Sequence, residues 1–245
     1  MRVCLCVEVG NEKNECEDTA LFNETLISNQ IVCIDDGALR CVGVADGVGG
    51  NAGGQIASRY IAHQISQADF SHLTGREIRC FLEKLNAELI EYAATVPGKA
   101  EMATTLTCVV AAYDGYYLVH AGNTRLYVMQ GAYLKRLTTD HTTYNWLIEC
   151  GQYEAAELCN RNEINCCLGG GSLRYANRIV VNKLFDVCPD TIILTSDGIH
   201  EFVDIDYLES ALATSESDCD AARLITDKAI KNGSTDDKTI VIVRV

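Results

Sequence analysis

Acidic residues at the borders of apolar runs are the side chains of this sequence most able to do chemistry. Asp46 follows the apolar run Leu39–Ala45, Asp197 follows ILTS, and the pair Asp236 and Asp237 precedes the run KTIVIVRV. Hard divalent cations bind several anionic oxygen atoms that a rigid scaffold supplies from different parts of its chain. An isolated Asp-Gly pair is more typical of a solvated turn, but three such positions together predict an oxygen-ligand metal site.

The composition restricts the classes of function. The chain has 245 residues, 48% of them apolar, and its 20 basic and 34 acidic residues give a formal net charge of −14. This acidic balance argues against a nucleic-acid-binding surface and suits the binding of cations. Thirteen cysteines occur without a CxxC pair. They indicate neither a zinc knuckle nor a disulfide framework, and they favour a reducing cytoplasm.

The sequence predicts one domain over residues 1–245. It contains two prolines and no Ser/Gly/Pro-rich linker that would mark a boundary. It opens on the strand-like MRVCLCVEV rather than on the basic region of a secretion signal. No apolar run approaches the roughly 20 residues of a membrane span, so no membrane association is expected.

Hydrophobic periodicity predicts strands at both ends and in the middle of the chain. The expected strands are Arg2–Val9, Ala20–Asn23, Gln30–Ile34, Leu39–Ala45, Thr104–Tyr113, Tyr116–Ala121, Arg125–Gln130, Tyr133–Leu137, Arg178–Leu184, Thr191–Ser196 and Lys238–Val245. Helices are expected at Ala52–Ser66, after the capping-box pair Thr74 and Glu77, and at about Asp218–Lys231. Many antiparallel strands with grouped helices predict an α+β sandwich. The segment 142–174 is less regular and is expected to combine a short helix with a loop.

Six segments carry the acidic residues and their surroundings in a specific order. They are NECEDTALF, VADGVGGNAGGQIAS, MATTLT, HAGNTRLYVMQGAYLKRLTTDHT, ILTSDGIHEFVD and GSTDDKTIVIV. Together they resemble the metal-dependent protein phosphatase family, type 2C, in its compact bacterial form. The resemblance implies a central sandwich of two antiparallel sheets flanked by helix pairs, in four layers (α-β-β-α), with 142–174 as a flap. It also implies hydrolysis of phosphoserine and phosphothreonine in proteins by a water molecule that bridges two divalent ions, Mn²⁺ or Mg²⁺.

The resemblance further implies a metal-binding role for five residues. Asp46 matches the carboxylate that bridges both ions, while the Gly47 carbonyl and Glu17 match ligands of the second ion. Asp197 and Asp236 match ligands of the first ion. Phosphate monoesters hydrolyse very slowly, so a catalyst must supply a nucleophile and offset the charge of the phosphate. Two cations can do both.

Two further residues are candidates for catalysis beside Asp46. Lys13 matches the position of a phosphate-binding arginine in the family. Lysine keeps the positive charge but lacks the bidentate geometry of arginine, so weaker substrate binding is expected. Asp18 neighbours Glu17 and is expected to support the metal ligands without binding an ion itself.

Besides Lys13, three further positions depart from the family pattern. Val48 stands where some members carry a histidine proposed as general acid, so a water molecule would have to protonate the leaving group. Asn123 replaces an aspartate linked to a third ion, which makes a third metal site doubtful. Asp237 replaces an asparagine beside Asp236, so either of the two could coordinate. The register favours Asp236.

Two alternatives remain open at this point. The first is a pseudophosphatase that binds phosphoproteins as a regulatory module but turns them over poorly, which Lys13 and Asn123 would favour. Retention of every core carboxylate argues against it. The second is a regulatory phosphatase dedicated to one partner, such as an anti-sigma antagonist. The expected partners are phosphorylated proteins and a cognate serine/threonine kinase. The expected state is a cytoplasmic monomer.

Overall fold

Two six-stranded antiparallel sheets form the centre of the computed structural model, which describes residues 1–11, 13–35, 37–48, 52–176 and 178–245. The strands are β1 (Arg2–Glu8), β2 (Asp18–Phe22), β3 (Thr25–Ile27), β4 (Ile31–Asp35), β5 (Cys41–Asp46), β6 (Ala103–Thr104), β7 (Leu106–Ala112), β8 (Gly115–Ala121), β9 (Arg125–Gln130), β10 (Tyr133–Arg136), β11 (Leu168–Gly169), β12 (Val180–Phe185), β13 (Thr191–Thr195) and β14 (Lys238–Arg244). The first sheet has the order β10-β9-β13-β14-β1-β4, and the second has the order β12-β8-β7-β5-β2-β3. Strands β6 and β11 form a separate pair.

The helices lie mainly where the periodicity predicts them. They are α1 (Gly54–Gln67), α2 (Gly75–Thr95), α3 (Thr143–Glu149), α4 (Tyr153–Leu158), α5 (Asp197–His200), α6 (Ile205–Thr214) and α7 (Asp218–Lys231). The capping box is present at α2, where the Glu77 amide donates to Thr74 Oγ1 and the Thr74 amide donates to Glu77 Oε2. Helices α5 and α6 were not predicted, although Asp204 caps α6 by accepting from the Tyr207 amide.

Successive side chains of a strand point to opposite faces of its sheet, so the buried apolar residues form three clusters. In β14, Val241 and Val243 face the other sheet, whereas Ile240 and Ile242 face the helices. Helices α6 and α7 cover the first sheet with apolar residues such as Leu208. Helices α1 and α2 cover the second sheet through a separate cluster. This arrangement is the predicted four-layer α-β-β-α sandwich.

Other sequence predictions meet the structure only in part. The segment 142–174 contains two helices, α3 and α4, and therefore more regular structure than expected. Residues 49–51 of the glycine-rich turn after Asp46 lie outside the described residues. In the part of the chain that is described, no helix is both long and apolar enough to cross a membrane. The single domain and the flap stay predictions.

Candidate metal centre

A cavity of about 460 Å³ is lined by four of the five predicted metal ligands, and Glu17 is not among its lining residues. Asp46 ends β5 in the second sheet, whereas Asp197 follows β13 and Asp236 precedes β14 in the first sheet. All three line the cavity together with Gly47 and Lys13. The fold thus brings together carboxylates that lie up to 190 residues apart in the chain (236 minus 46).

Two threonines of the MATTLT segment fix the backbone of Asp46. The Asp46 amide donates to Thr105 Oγ1 at 3.0 Å, and its carbonyl accepts from the Thr105 amide at 2.8 Å. The same carbonyl also accepts from Thr104 Oγ1 at 2.9 Å. Because the backbone is held on both sides, the Asp46 side chain projects from a fixed strand end.

A close contact between two glycines gives Glu17 its place in the site. A Cβ atom on Gly47 would collide with the backbone of Gly54. A Cβ atom on Gly54 would lie 2.7 Å from Glu17 Oε1. The Gly47 amide also donates to the Glu17 carbonyl at 3.1 Å. A larger residue at Gly54 would therefore displace the Glu17 carboxylate, and one at Gly47 would force the two glycine segments apart.

Asn123 orients Asp197 at the start of helix α5. Asn123 Nδ2 donates to Asp197 Oδ2 at 2.9 Å. Asn123 Oδ1 is buried and has no hydrogen-bond partner within the described residues. The amide at this position, which departs from the family pattern, therefore donates to a predicted ligand and leaves one buried oxygen atom unsatisfied.

The adjacent residues Asp236 and Asp237 have different surroundings. The Asp236 side chain is 48% exposed and faces the cavity. Asp237 is 2% exposed, and its Oδ1 accepts from the Gly10 amide at 2.7 Å while its Oδ2 accepts from the Glu17 amide at 2.7 Å. Asp237 thus joins the N-terminal segment to the loop before β14. This geometry supports the choice of Asp236 as the ligand, which stays a prediction.

Lys13 lies among three carboxylates at the edge of the cavity. Its Nζ atom is 2.5 Å from Asp236 Oδ1, 3.1 Å from Asp237 Oδ2 and 3.3 Å from Glu17 Oε2. Burial alone would lower the pKa of Lys13, but Asp236 and Asp237 together raise it above its ordinary value. The ammonium group therefore stays charged at the cavity, where a phosphate could reach it.

Asp18 is buried behind Asp46 and pairs with it across strands β2 and β5. Its Oδ2 atom accepts from Thr239 Oγ1 at 2.6 Å, whereas Oδ1 is buried without a partner in the described residues. Burial raises the pKa of Asp18 to about 7, and the charge of Asp237 acts in the same direction. Asp18 does not line the cavity. The predicted supporting role agrees with this position.

The electrostatics of the carboxylates fit a bound cation. Burial raises the pKa of Asp46 well above its usual range, and the charges of Asp18 and Asp197 raise it further. Burial also raises the pKa of Asp197, with Asp236 as the next cause. Across the described ranges, no three acidic, histidine or cysteine side chains have converged tightly enough to hold a metal ion. A divalent cation would offset the mutual repulsion of these carboxylates.

The structure also adds residues that the sequence analysis did not single out. The cavity is also lined by residues from two further segments, namely Asn160, Asn162, Glu163, Ile164, Glu201 and Phe202. Asn162 Nδ2 donates to Glu201 Oε2 at 3.0 Å and so connects these segments. Glu201 follows Asp197 by four residues, the spacing of neighbours on a helix face. That spacing was the available signal, whereas no local pattern marks Asn162 or Glu163.

The whole arrangement matches a known family. A family model described as protein phosphatase 2C matches residues 16–227 of this chain. The chain belongs to the protein phosphatase 2C family. Serine/threonine phosphatase stp of Listeria monocytogenes is 28% identical over 211 residues, which cover 82% of this chain and 82% of that protein. Serine/threonine protein phosphatase PstP of Mycobacterium tuberculosis is 28% identical over 216 residues, which cover 84% of this chain and 40% of that protein.

Solved structures show the same fold. Serine/threonine phosphatase Stp1 from Staphylococcus aureus gives a TM-score of 0.78 at 21% identity, covering 99% of this chain and 94% of that chain. The Mycobacterium tuberculosis phosphatase PstP/Ppp also gives 0.78 at 21% identity, covering 100% of this chain and 99% of that chain. These structures confirm the predicted four-layer fold, whereas the family match confirms the predicted protein phosphatase 2C family and its phosphatase activity. The family is metal-dependent, while the roles of individual residues stay predictions.

Proposed function

We propose that this chain hydrolyses phosphoserine and phosphothreonine in proteins with two divalent ions, Mn²⁺ or Mg²⁺, bound in the cavity. One observation carries the proposal: carboxylates from both sheets line one cavity, and burial together with their mutual repulsion raises the pKa values of Asp46 and Asp197. Such a group of acids is stabilised by cations that neutralise it. The family match supplies the reaction.

The chain's own residues divide the work of holding the ions. Asp46 would contact both ions, with the Gly47 carbonyl and Glu17 on one of them. Asp197 and Asp236 would hold the other. When bound, such ions lower the pKa of water and neutralise the oxygens of a phosphoryl group. Carboxylate oxygens suit Mn²⁺ and Mg²⁺ because these ions keep several water ligands.

Lys13 and Val48 affect two steps of the reaction, which are binding of the substrate phosphate and protonation of the leaving group. The charged ammonium group of Lys13 lines the cavity and can bind a phosphoryl oxygen as a point charge. Val48 lines the same cavity with an apolar side chain and brings no proton to the leaving group. Water must therefore protonate the departing serine or threonine oxygen. A pseudophosphatase is not favoured, because Asp46, Asp197 and Asp236 are all retained and line the cavity.

Partners and location form part of the proposal. Phosphorylated proteins are the substrates, and a cognate serine/threonine kinase would supply them. We infer a cytoplasmic location, since the thirteen cysteines are all free thiols in the structure and suit a reducing compartment. We propose that the protein is a monomer.

Release of p-nitrophenol from its phosphate ester tests the proposal. We expect turnover with Mn²⁺, none with EDTA, and a loss of at least a hundredfold in Asp46→Asn and Asp197→Asn, a size typical for removal of a group that acts on the transition state. Asp227→Asn is a matched control, because Asp227 is exposed on α7 away from the cavity. Turnover that persists in EDTA, or in both site variants, would contradict the proposal.

A further inference from the structure

The walls of the catalytic cavity carry negative charge that metal binding does not use. Besides the predicted ligands, Glu163 and Glu201 line the cavity, and both residues are exposed to solvent. The cavity is about 460 Å³, which leaves room for residues beside a phosphorylated side chain. Bound cations would neutralise the metal ligands but not these two glutamates. A bound peptide would therefore lie next to their negative charge.

The two glutamates belong to different segments that a hydrogen bond connects. Glu163 lies after α4, and its carbonyl accepts from the Thr143 amide at 2.8 Å, which ties its backbone to the start of α3. Glu201 ends α5, and its Oε2 atom accepts from Asn162 Nδ2 at 3.0 Å. Asn162 thus holds the Glu201 carboxylate next to the segment that carries Glu163. The acidic wall is therefore positioned by named contacts on both sides.

Nearby basic side chains are engaged by other groups. Arg125, whose charge acts on Glu201, pairs with Asp140 at 2.8 Å. Lys13, the basic residue that lines the cavity among the described residues, already contacts Glu17, Asp236 and Asp237. Arg161 lies two residues before Glu163 in the chain, but its guanidinium group pairs with Glu157 at 3.3 Å and stacks over the ring of Tyr144. Electrostatic attraction across the cavity therefore favours a positively charged peptide and disfavours an acidic one.

We propose that Glu163 and Glu201 make this phosphatase select phosphorylated sites that have lysine or arginine beside the phosphorylated residue. The inference rests on the proposed function, because it concerns the peptide that the same cavity takes. Sites flanked by aspartate, glutamate or a second phosphate would be poor substrates, since each added negative charge faces the same wall. Neither glutamate touches the reacting phosphate; both act on the flanking residues.

Three phosphothreonine peptides that differ only beside the phosphothreonine provide the test. They carry arginine, alanine or aspartate on each side of it, and kcat/KM is measured for each with Mn²⁺. For the wild type we expect the arginine peptide to exceed the aspartate peptide by about tenfold or more, because each charge pair at a solvated protein surface contributes about one-and-a-half- to fivefold and attracts one peptide while it repels the other. The ratio should shrink as salt is raised from 50 mM to 500 mM, because screening weakens exposed charge pairs.

Substitutions assign the preference to the two side chains. Glu163→Gln and Glu201→Gln should each reduce the arginine-to-aspartate ratio about threefold or more, and the double variant should reduce it further. Glu154→Gln is the matched control, because Glu154 is exposed on α4 in the same segment but does not line this cavity. It should keep the wild-type ratio. Asn162→Ala should lower the arginine-to-aspartate ratio, because Glu201 loses the hydrogen bond that holds its carboxylate in place. Asn162→Gln keeps an amide donor and should lower the ratio less.

The outcomes separate this inference from the proposed function. Equal kcat/KM for the three peptides in the wild type, or an unchanged ratio in the double variant, would overturn the selectivity alone. Absence of turnover on every peptide and on p-nitrophenyl phosphate would overturn the proposed function and the selectivity with it. A ratio that falls in the two glutamate variants and not in Glu154→Gln is the expected result.

Discussion

Asp236 and Asp237 are adjacent in the sequence, yet substituting them should have different effects, one on metal binding and the other on stability. Asp237→Ala should destabilise the fold, because it removes the acceptor of two backbone amides, those of Gly10 and Glu17, each at 2.7 Å from the carboxylate. Asp236→Ala should leave the fold nearly intact and abolish metal binding, because the Asp236 side chain is 48% exposed at the cavity.

The size of the stability loss follows from the contacts. A hydrogen bond to a charged group contributes about 1.5–3 kcal/mol, so the two bonds of Asp237 amount to about 3–6 kcal/mol. Removing one charge from a crowded group of carboxylates offsets part of this, and we expect about 3 kcal/mol. For a protein of this length that lowers the midpoint of thermal unfolding by about 6–12 °C. Asp236→Ala loses a partly exposed bond from the Asp237 amide and the ion pair with Lys13, which together contribute about 1–2 kcal/mol.

The assay combines two measurements on both variants and on Asp237→Asn. Urea unfolding in EDTA gives the free energy of unfolding without any contribution from bound metal. Calorimetric titration with Mn²⁺ then gives binding to the folded protein. Asp237→Asn should lose about half as much stability as Asp237→Ala, because the amide keeps one acceptor oxygen. If Asp236→Ala is the less stable variant, or if Asp237→Ala folds normally and fails to bind Mn²⁺ while Asp236→Ala binds it, the assignment is wrong.

Three further predictions follow from the same geometry. Asp46→Asn should raise the metal-free midpoint of unfolding, because one charge leaves a repulsive group, and should remove the rise that Mn²⁺ gives to the wild type; a thermal-shift titration that shows a lower metal-free midpoint would contradict this. Burial lowers the pKa of His120 to about 4, so the unfolded chain binds this proton first as the pH falls from about 6.5 to 4. Stability should drop across that window by about 1.4 kcal/mol per pH unit for this histidine, and urea unfolding of His120→Gln should show a correspondingly shallower slope. Gly198→Ala should cost about 1–3 kcal/mol, because its Cβ atom would collide with the Asp237 carbonyl, while Gly37→Ala, which has open space around the added atom, should be neutral in the same unfolding assay.

Local patterns in the sequence determined most of the fold. Alternating apolar residues predicted the long strands, and helical spacing with the Thr74 and Glu77 capping box predicted α2. Family motifs identified the protein phosphatase 2C fold and its activity, which the comparisons confirm. These features depend on neighbours within a few residues or on an order of motifs, so they can be read without knowing which segments meet. Helix α6 was not predicted from the sequence, because its apolar stripe is short and gives a weak periodic signal.

The tertiary structure decided what surrounds each acidic residue. The Gly10 amide that holds Asp237 lies 227 residues away in the chain, and the Glu17 amide lies 220 residues away. No local pattern distinguishes Asp237 from the exposed Asp236 beside it, because the difference arises only when the N-terminal segment packs against the loop before β14. The same holds for the contacts of Lys13 with three carboxylates and for the hydrogen bond that places Glu201 beside Asn162. Charge and burial depend on long-range packing, and long-range packing exists only in the folded chain.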